Sequence, residues 1–82
     1  MIHLTRHAEE KFTLLARHGF RITHQQIIDT VTAPDKLDYS RLPLLIAQRK
    51  IVRTHVLRVV YKIEKDAIKI ITFYPGRKTQ YE

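Results

Sequence analysis

The fold is decided by residues 57–74, Leu57-Arg58-Val59-Val60-Tyr61-Lys62-Ile63-Glu64-Lys65-Asp66-Ala67-Ile68-Lys69-Ile70-Ile71-Thr72-Phe73-Tyr74. Leu57, Val59, Tyr61 and Ile63 alternate with Arg58, Val60, Lys62 and Glu64. Ile68, Ile70, Thr72 and Tyr74 alternate in turn with Ala67, Lys69, Ile71 and Phe73. A period of two marks half-buried strands. With only Lys65-Asp66 between the runs, the pattern predicts a tight antiparallel hairpin. That register sets Ile63 opposite Ile68, Tyr61 opposite Ile70, Val59 opposite Thr72 and Leu57 opposite Tyr74, an apolar face for helices to cover. The other face carries Arg58 opposite Phe73, Val60 opposite Ile71 and Lys62 opposite Lys69. Two directly opposed lysines repel. Either they splay into water at a cost of a few tenths of a kcal/mol, or an anion relieves them.

Upstream of the hairpin, Leu44 to Val52 reads as another strand, with Pro43 at its start where no ladder donor is needed. Short strands are expected near Leu37–Ser40 and Ile2–Leu4. Pro75-Gly76 is expected to end the last strand and leave a basic tail. The first forty residues read as helices. Leu4, Ala8, Phe12 and Leu15 form one apolar stripe behind a Thr5 cap, with Glu9 and Glu10 in the early turns and Gly19 as the left-handed stop, predicting a helix over 5–18. Phe20 would then fall back on Leu15. Thr23 and Gln26 form a capping box between Ile22 and Ile27, and Ala33-Pro34 closes a second helix over 24–32 whose buried face is Ile27, Ile28 and Val31. The expectation is an α+β domain over 1–82, with two N-terminal helices on one face of a three- to five-stranded, mainly antiparallel sheet.

Eighty-two residues make one small domain, which buries only about 60% of the surface its unfolded chain exposes. Hydrophobic residues at 44% and charged residues at 28% are globular values that argue against disorder. The absence of cysteine excludes disulfides, thiolate-held zinc, iron–sulfur clusters and a thiol nucleophile. The apolar runs are too short for a membrane span, and Met1 to Thr5 does not read as a signal peptide, so a cytoplasmic domain is expected.

Charge carries more information. Fifteen Lys and Arg against eight Asp and Glu give +7. Residues 1–40 balance five bases with five acids, so the whole excess lies in 41–82, with ten bases against three acids. A one-signed field over half a small domain points to a polyanionic partner, RNA or the ribosome first; an acidic protein and an ordinary solubilising surface are the competing readings. Arg49, Lys50, Arg53, Lys62, Lys69 and Lys78 are the candidate nucleic-acid contacts. Phe73, Tyr74 and Tyr81 lie among them, and aromatic faces stack on unpaired bases, so the mixture suits single-stranded RNA. No helix with a basic face offers itself to a major groove.

Other chemistries fit poorly. His3 and His7 have i,i+4 spacing without a third ligand, so no metal is expected, nor any cofactor. Ser40 is the only serine and lacks the context of a nucleophile elbow. Metal-independent acid–base cleavage of RNA by its own 2′-OH needs a base, an acid and cations near the phosphate, all of which this composition holds.

The order of segments is similar to that of a family of small bacterial domains of unknown function. His7-Ala8 is followed by Lys11-Phe12 and by Arg17-His18-Gly19-Phe20-Arg21-Ile22-Thr23. Pro34-Asp35, Leu57-Arg58-Val59-Val60-Tyr61 and Ile70-Ile71-Thr72-Phe73-Tyr74-Pro75 resemble its later blocks. The ending from Arg77 to Tyr81-Glu82 resembles the RelE- and BrnT-like toxins, ribonucleases of toxin–antitoxin pairs. The resemblance covers nearly the whole chain and implies a RelE-like fold and an endoribonuclease acting on messenger RNA. It also implies an acidic antitoxin covering the basic face. By position it implies phosphate stabilisation by Arg58 and Arg77 and proton transfer by His7 or Tyr81. A non-catalytic RNA- or protein-binding domain is the alternative. In the simple hairpin register Thr72 points to the helices and Arg58 away, so the two share a site only if the strand bulges. The same residues also have plainer uses: His7 bonded near a helix start, Arg58 paired with an acid, and Tyr81 folded against the sheet.

Overall fold

The computed structural model of the chain describes residues 1–81. In order it contains β1 (Ile2–Leu4), α1 (Arg6–Arg17), α2 (His24–Thr32), β2 (Lys36–Asp38), β3 (Leu45–Val52), β4 (His55–Glu64), β5 (Ala67–Arg77) and a 3₁₀ turn, Lys78–Gln80. The strands form one sheet in the order β1-β5-β4-β3-β2. β1 runs parallel to β5 and every other pair is antiparallel. The α+β architecture expected above is the one observed. Among the described residues no helix is long and apolar enough to cross a membrane.

Both helices start on side-chain caps and stop on backbone hydrogen bonds. Thr5 Oγ1 accepts from the Ala8 amide at 3.1 Å, satisfying one of the donors that α1 leaves free at its start. At the other end Gly19 takes φ +88° while Phe20 N–H donates to Leu15 O and Gly19 N–H to Ala16 O. This paired closure needs the left-handed residue that glycine supplies without a steric cost. In α2 the reciprocal box forms: the Gln26 amide donates to Thr23 Oγ1 and the Thr23 amide to Gln26 Oε1. Its inward face differs by one residue from expectation. Ile27 and Val31 are buried with Thr30, whereas Ile28 is exposed. The Thr30 hydroxyl can be buried because it donates to Gln26 O at 2.7 Å.

Ala8, Leu15, Ile22, Ile27 and Val31 meet Leu45, Ala47, Leu57, Val59, Tyr61, Ile70 and Phe73 of the sheet in one core. Phe12 lies against the Phe73 ring at 4.7 Å and stacks on His24 at 4.2 Å, which in turn bonds Glu9.

The β4–β5 hairpin turns on Lys65-Asp66 as read, with Lys65 at φ +55°. Ile63 faces Ile68, Lys62 faces Lys69 and Tyr61 faces Ile70. Past Tyr61 the register slips by one: Val60 faces Thr72, Val59 faces Phe73, Arg58 faces Tyr74 and Leu57 faces Pro75. The bulge corrects the expected pairings beyond Tyr61, and hydrophobicity explains it. The unbroken register would put Thr72 in the core and Phe73 outside. Burying a phenylalanine gains about 1.5–3 kcal/mol, more than the roughly 0.5–1.5 kcal/mol net of a ladder bond. The Ile71 carbonyl at the bulge also accepts from the Thr5 hydroxyl at 3.0 Å. A second correction concerns Pro75-Gly76, which does not end β5. β1 pairs only with residues 68–70, so the rest of β5 is an edge, where proline is tolerated and pairing runs on to Arg77.

Candidate nucleic-acid interface

The face opposite the helices is organised around Arg58. Its side chain is almost fully buried and its donors are aimed in different directions. Nη1 donates to Gln48 Oε1 at 2.6 Å, Nε donates to the Tyr74 phenol at 3.1 Å, and Nη2 lies 3.7 Å from Asp38 Oδ2. The guanidinium stacks 4.1 Å from the centre of the Tyr81 ring. Strand pairing produces this cluster: Arg58 is opposite Gln48 on β3 and opposite Tyr74 on β5 because of the bulge. The tail closes the fourth side. Gln48 Nε2 donates to Tyr81 O at 2.9 Å, with Lys36 Nζ at 3.5 Å. Gly76 makes room for it, since a Cβ there would run into the Tyr81 ring.

Arg58 and Tyr81 stand between two depressions. One, of about 510 Å³, is also lined by Lys36, Asp38, Ile46 and Gln48. The other, of about 360 Å³, adds Arg41, Val60 and Tyr74. Among the described residues the only carboxylate in either is Asp38. Hydrogen bonds from Ser40, including its amide at 2.8 Å, hold the Asp38 carboxyl below its ordinary 3.8 against partial desolvation; Arg58 and then Arg41 add to the effect. A lowered carboxyl favours the folded state above its unfolded pKa and loses that contribution as pH falls through the folded one. Asp38→Asn is therefore expected to melt below the wild type at pH 7 and to converge with it well below 3.8, in paired thermal melts.

The other residues singled out from sequence are distributed. His7 Nε2 lies 3.1 Å from Thr72 Oγ1 and is not among the groups contacting Arg58. Arg77 pairs with His55 at the far end of β4 and lines a separate cleft with Arg53 and Lys78. Of the four residues given catalytic roles by resemblance, only Arg58 and Tyr81 are together. The plainer uses are all realised: His7 is bonded near the start of α1, Arg58 faces an acid, and Tyr81 is folded against β5.

Arg49 turns toward the helices, where Nη1 donates to Ala33 O at 2.9 Å and reaches Asp29 O at 3.4 Å. It closes the C-terminus of α2, as cations do at helix ends. Lys62 and Lys69 are opposed as expected, and the anion between them belongs to the chain. Glu64 places one carboxylate oxygen 3.6 Å from each ammonium. Lys50 is exposed on β3 and Arg53 on the β3–β4 turn.

Gln48 is the residue that sequence reading missed. It is polar, almost fully buried and holds both Arg58 and the tail. Recognising Arg53-Thr54 as a two-residue turn between Val52 and His55 would have brought Gln48 only to within one place of Arg58, because a further register shift between Lys50 and Val52 sets the two opposite each other. No family model, curated protein or solved structure matches the chain.

Proposed function

We propose that the chain is a RelE/BrnT-like, toxin-type RNA-binding protein of the cytoplasm, taking single-stranded RNA on the helix-free face of its sheet. One observation carries the reading: a nearly buried guanidinium, Arg58, is walled by two tyrosines between two depressions. The half of the chain that builds this face supplies the whole net charge. A phosphate suits the planar fork of an arginine, and bases suit phenol rings. In the enzymatic form of the proposal the protein cleaves messenger RNA without metal, at the ribosome or free. Arg58 then stabilises the phosphate, and of the two proton-transfer candidates, His7 and Tyr81, it is Tyr81 that stands beside it. An acidic antitoxin would cover the same face.

A non-catalytic RNA- or protein-binding domain is the second reading. It is favoured by the engagement of Arg58 with Gln48, Tyr74 and Asp38, and by the distribution of His7 and Arg77 to other contacts. Induction in a bacterial host separates the two. The toxin reading expects arrest of growth and protein synthesis by the wild type and relief by Arg58→Ala at equal soluble protein. Arrest unchanged by Arg58→Ala would move the site elsewhere. Normal growth with abundant soluble wild type would leave the non-catalytic reading.

A further inference from the structure

At the end of the sheet away from the Lys65-Asp66 turn, two segments distant in sequence close a cleft of about 410 Å³. Arg53, Thr54 and His55 come from the β3–β4 turn, and Arg77, Lys78 and Thr79 from the end of β5 and the 3₁₀ turn. The walls are fixed to each other. Lys78 N–H donates to Thr54 O at 2.8 Å, and His55 is paired with Arg77 in the ladder. His55 is held by the Phe20 ring, edge-on at 5.4 Å, and its Nδ1 lies 2.9 Å from Thr54 Oγ1.

Among the described residues the lining has three cations and no carboxylate. This differs from the rest of the basic surface, where Arg58 has Asp38 and Lys62 and Lys69 share Glu64. Among the described residues none of Arg53, Arg77 and Lys78 forms an ion pair. Holding three like charges around one small space raises the free energy of the empty cleft, and a multiply charged anion removes that repulsion. The lining residues include two threonines and two arginines, whose hydroxyl and guanidinium donors are of the kind that phosphate oxygens accept from.

We infer that this cleft is a phosphate-binding site, separate from the Arg58 cluster. The inference rests on the RNA reading only for the source of the phosphate, either an internal diester of the strand or its terminal monoester.

The test uses the full chain, wild type and Arg53→Ala/Arg77→Ala, in two experiments, the first at constant ionic strength and the second over a series of salt concentrations. In the first, inorganic phosphate is titrated into 15N-labelled protein. The Thr54, His55 and Lys78 amides should shift saturably in the wild type and stay still in the double variant. In the second, octaribonucleotides with a 5′-phosphate or a 5′-hydroxyl are titrated by fluorescence anisotropy. The double variant should bind at least about tenfold more weakly, with a log affinity–log salt slope shallower by about 1.4, the equivalent of two phosphate contacts on a single strand. Tighter binding of the 5′-phosphorylated strand assigns the terminal monoester; equal binding assigns the internal diester. Saturable phosphate shifts without oligonucleotide binding would keep the cleft and sink the RNA reading. Oligonucleotide binding that the double variant leaves unchanged, or amides that phosphate moves equally in both proteins, would overturn the cleft. Unchanged melting of the double variant shows that the loss is not unfolding.

Discussion

Phe73→Ala is expected to lower folding stability by about 3–5 kcal/mol, the range seen when a buried aromatic is truncated and its cavity relaxes only in part. Phe73 has no exposed surface, faces Val59 in the sheet and lies under Phe12, so it joins the β4–β5 hairpin to α1. A chain of 82 residues has about 4–12 kcal/mol in total, so the loss takes at least about a quarter of the stability and, at the lower end of that range, nearly all of it. Urea denaturation followed by circular dichroism measures the change. Ile28→Ala, on the exposed side of α2, should move the midpoint little. A Phe73→Ala loss below about 1 kcal/mol would mean that the bulge does not deliver this ring to the core.

The second large effect concerns binding. Arg58→Met keeps most of the side-chain volume and removes the charge. Removing this one partner leaves Gln48 Oε1 and Asp38 without their arginine donor and lowers stability by about 1–3 kcal/mol, a loss that a chain holding about 4–12 kcal/mol can bear while staying folded. RNA affinity should nevertheless fall at least about tenfold, the effect of losing one well-made arginine contact. The loss should appear for single-stranded RNA of any sequence, because phosphate contacts carry no base information. Arg58→Lys should recover only part of it, since an ammonium lacks the fork that binds Gln48, Tyr74 and a phosphate in different directions. Fluorescence anisotropy at two salt concentrations, with thermal melts of each variant, separates lost binding from lost structure. Equal affinity of Arg58→Met and wild type would remove Arg58 from the site.

What was legible in the sequence is what local chemistry writes there. Thr5, Gly19, Thr23 and Gln26 each meet a need of the nearby backbone, so both helices are found within a residue or two of their ends. Lys65-Asp66 is similarly local. The bulge at Ile71 is not. It depends on the gain from burying Phe73 rather than Thr72, and on a carbonyl that finds the Thr5 hydroxyl sixty-six residues away. Every residue beyond the bulge inherits the one-place slip, which is why Arg58 meets Tyr74 and not Phe73. The site was half legible for the same reason. Arg58 and Tyr81 could be named, but Gln48 joins them through a cross-strand pairing and a carbonyl at the chain's far end. Arg49 shows the converse: a basic residue in a basic stretch is drawn inward by the open carbonyls of α2.

The central claim is that single-stranded RNA lies on the helix-free face at Arg58. Its most direct test is a map of amide shifts on adding a short mixed-sequence oligoribonucleotide to 15N-labelled protein at near-physiological salt. The amides of Gln48, Arg58, Tyr74 and Tyr81 should shift together and saturably, while those of α1 and α2 stay in place. Shifts confined to the helices, or none at all, would contradict it.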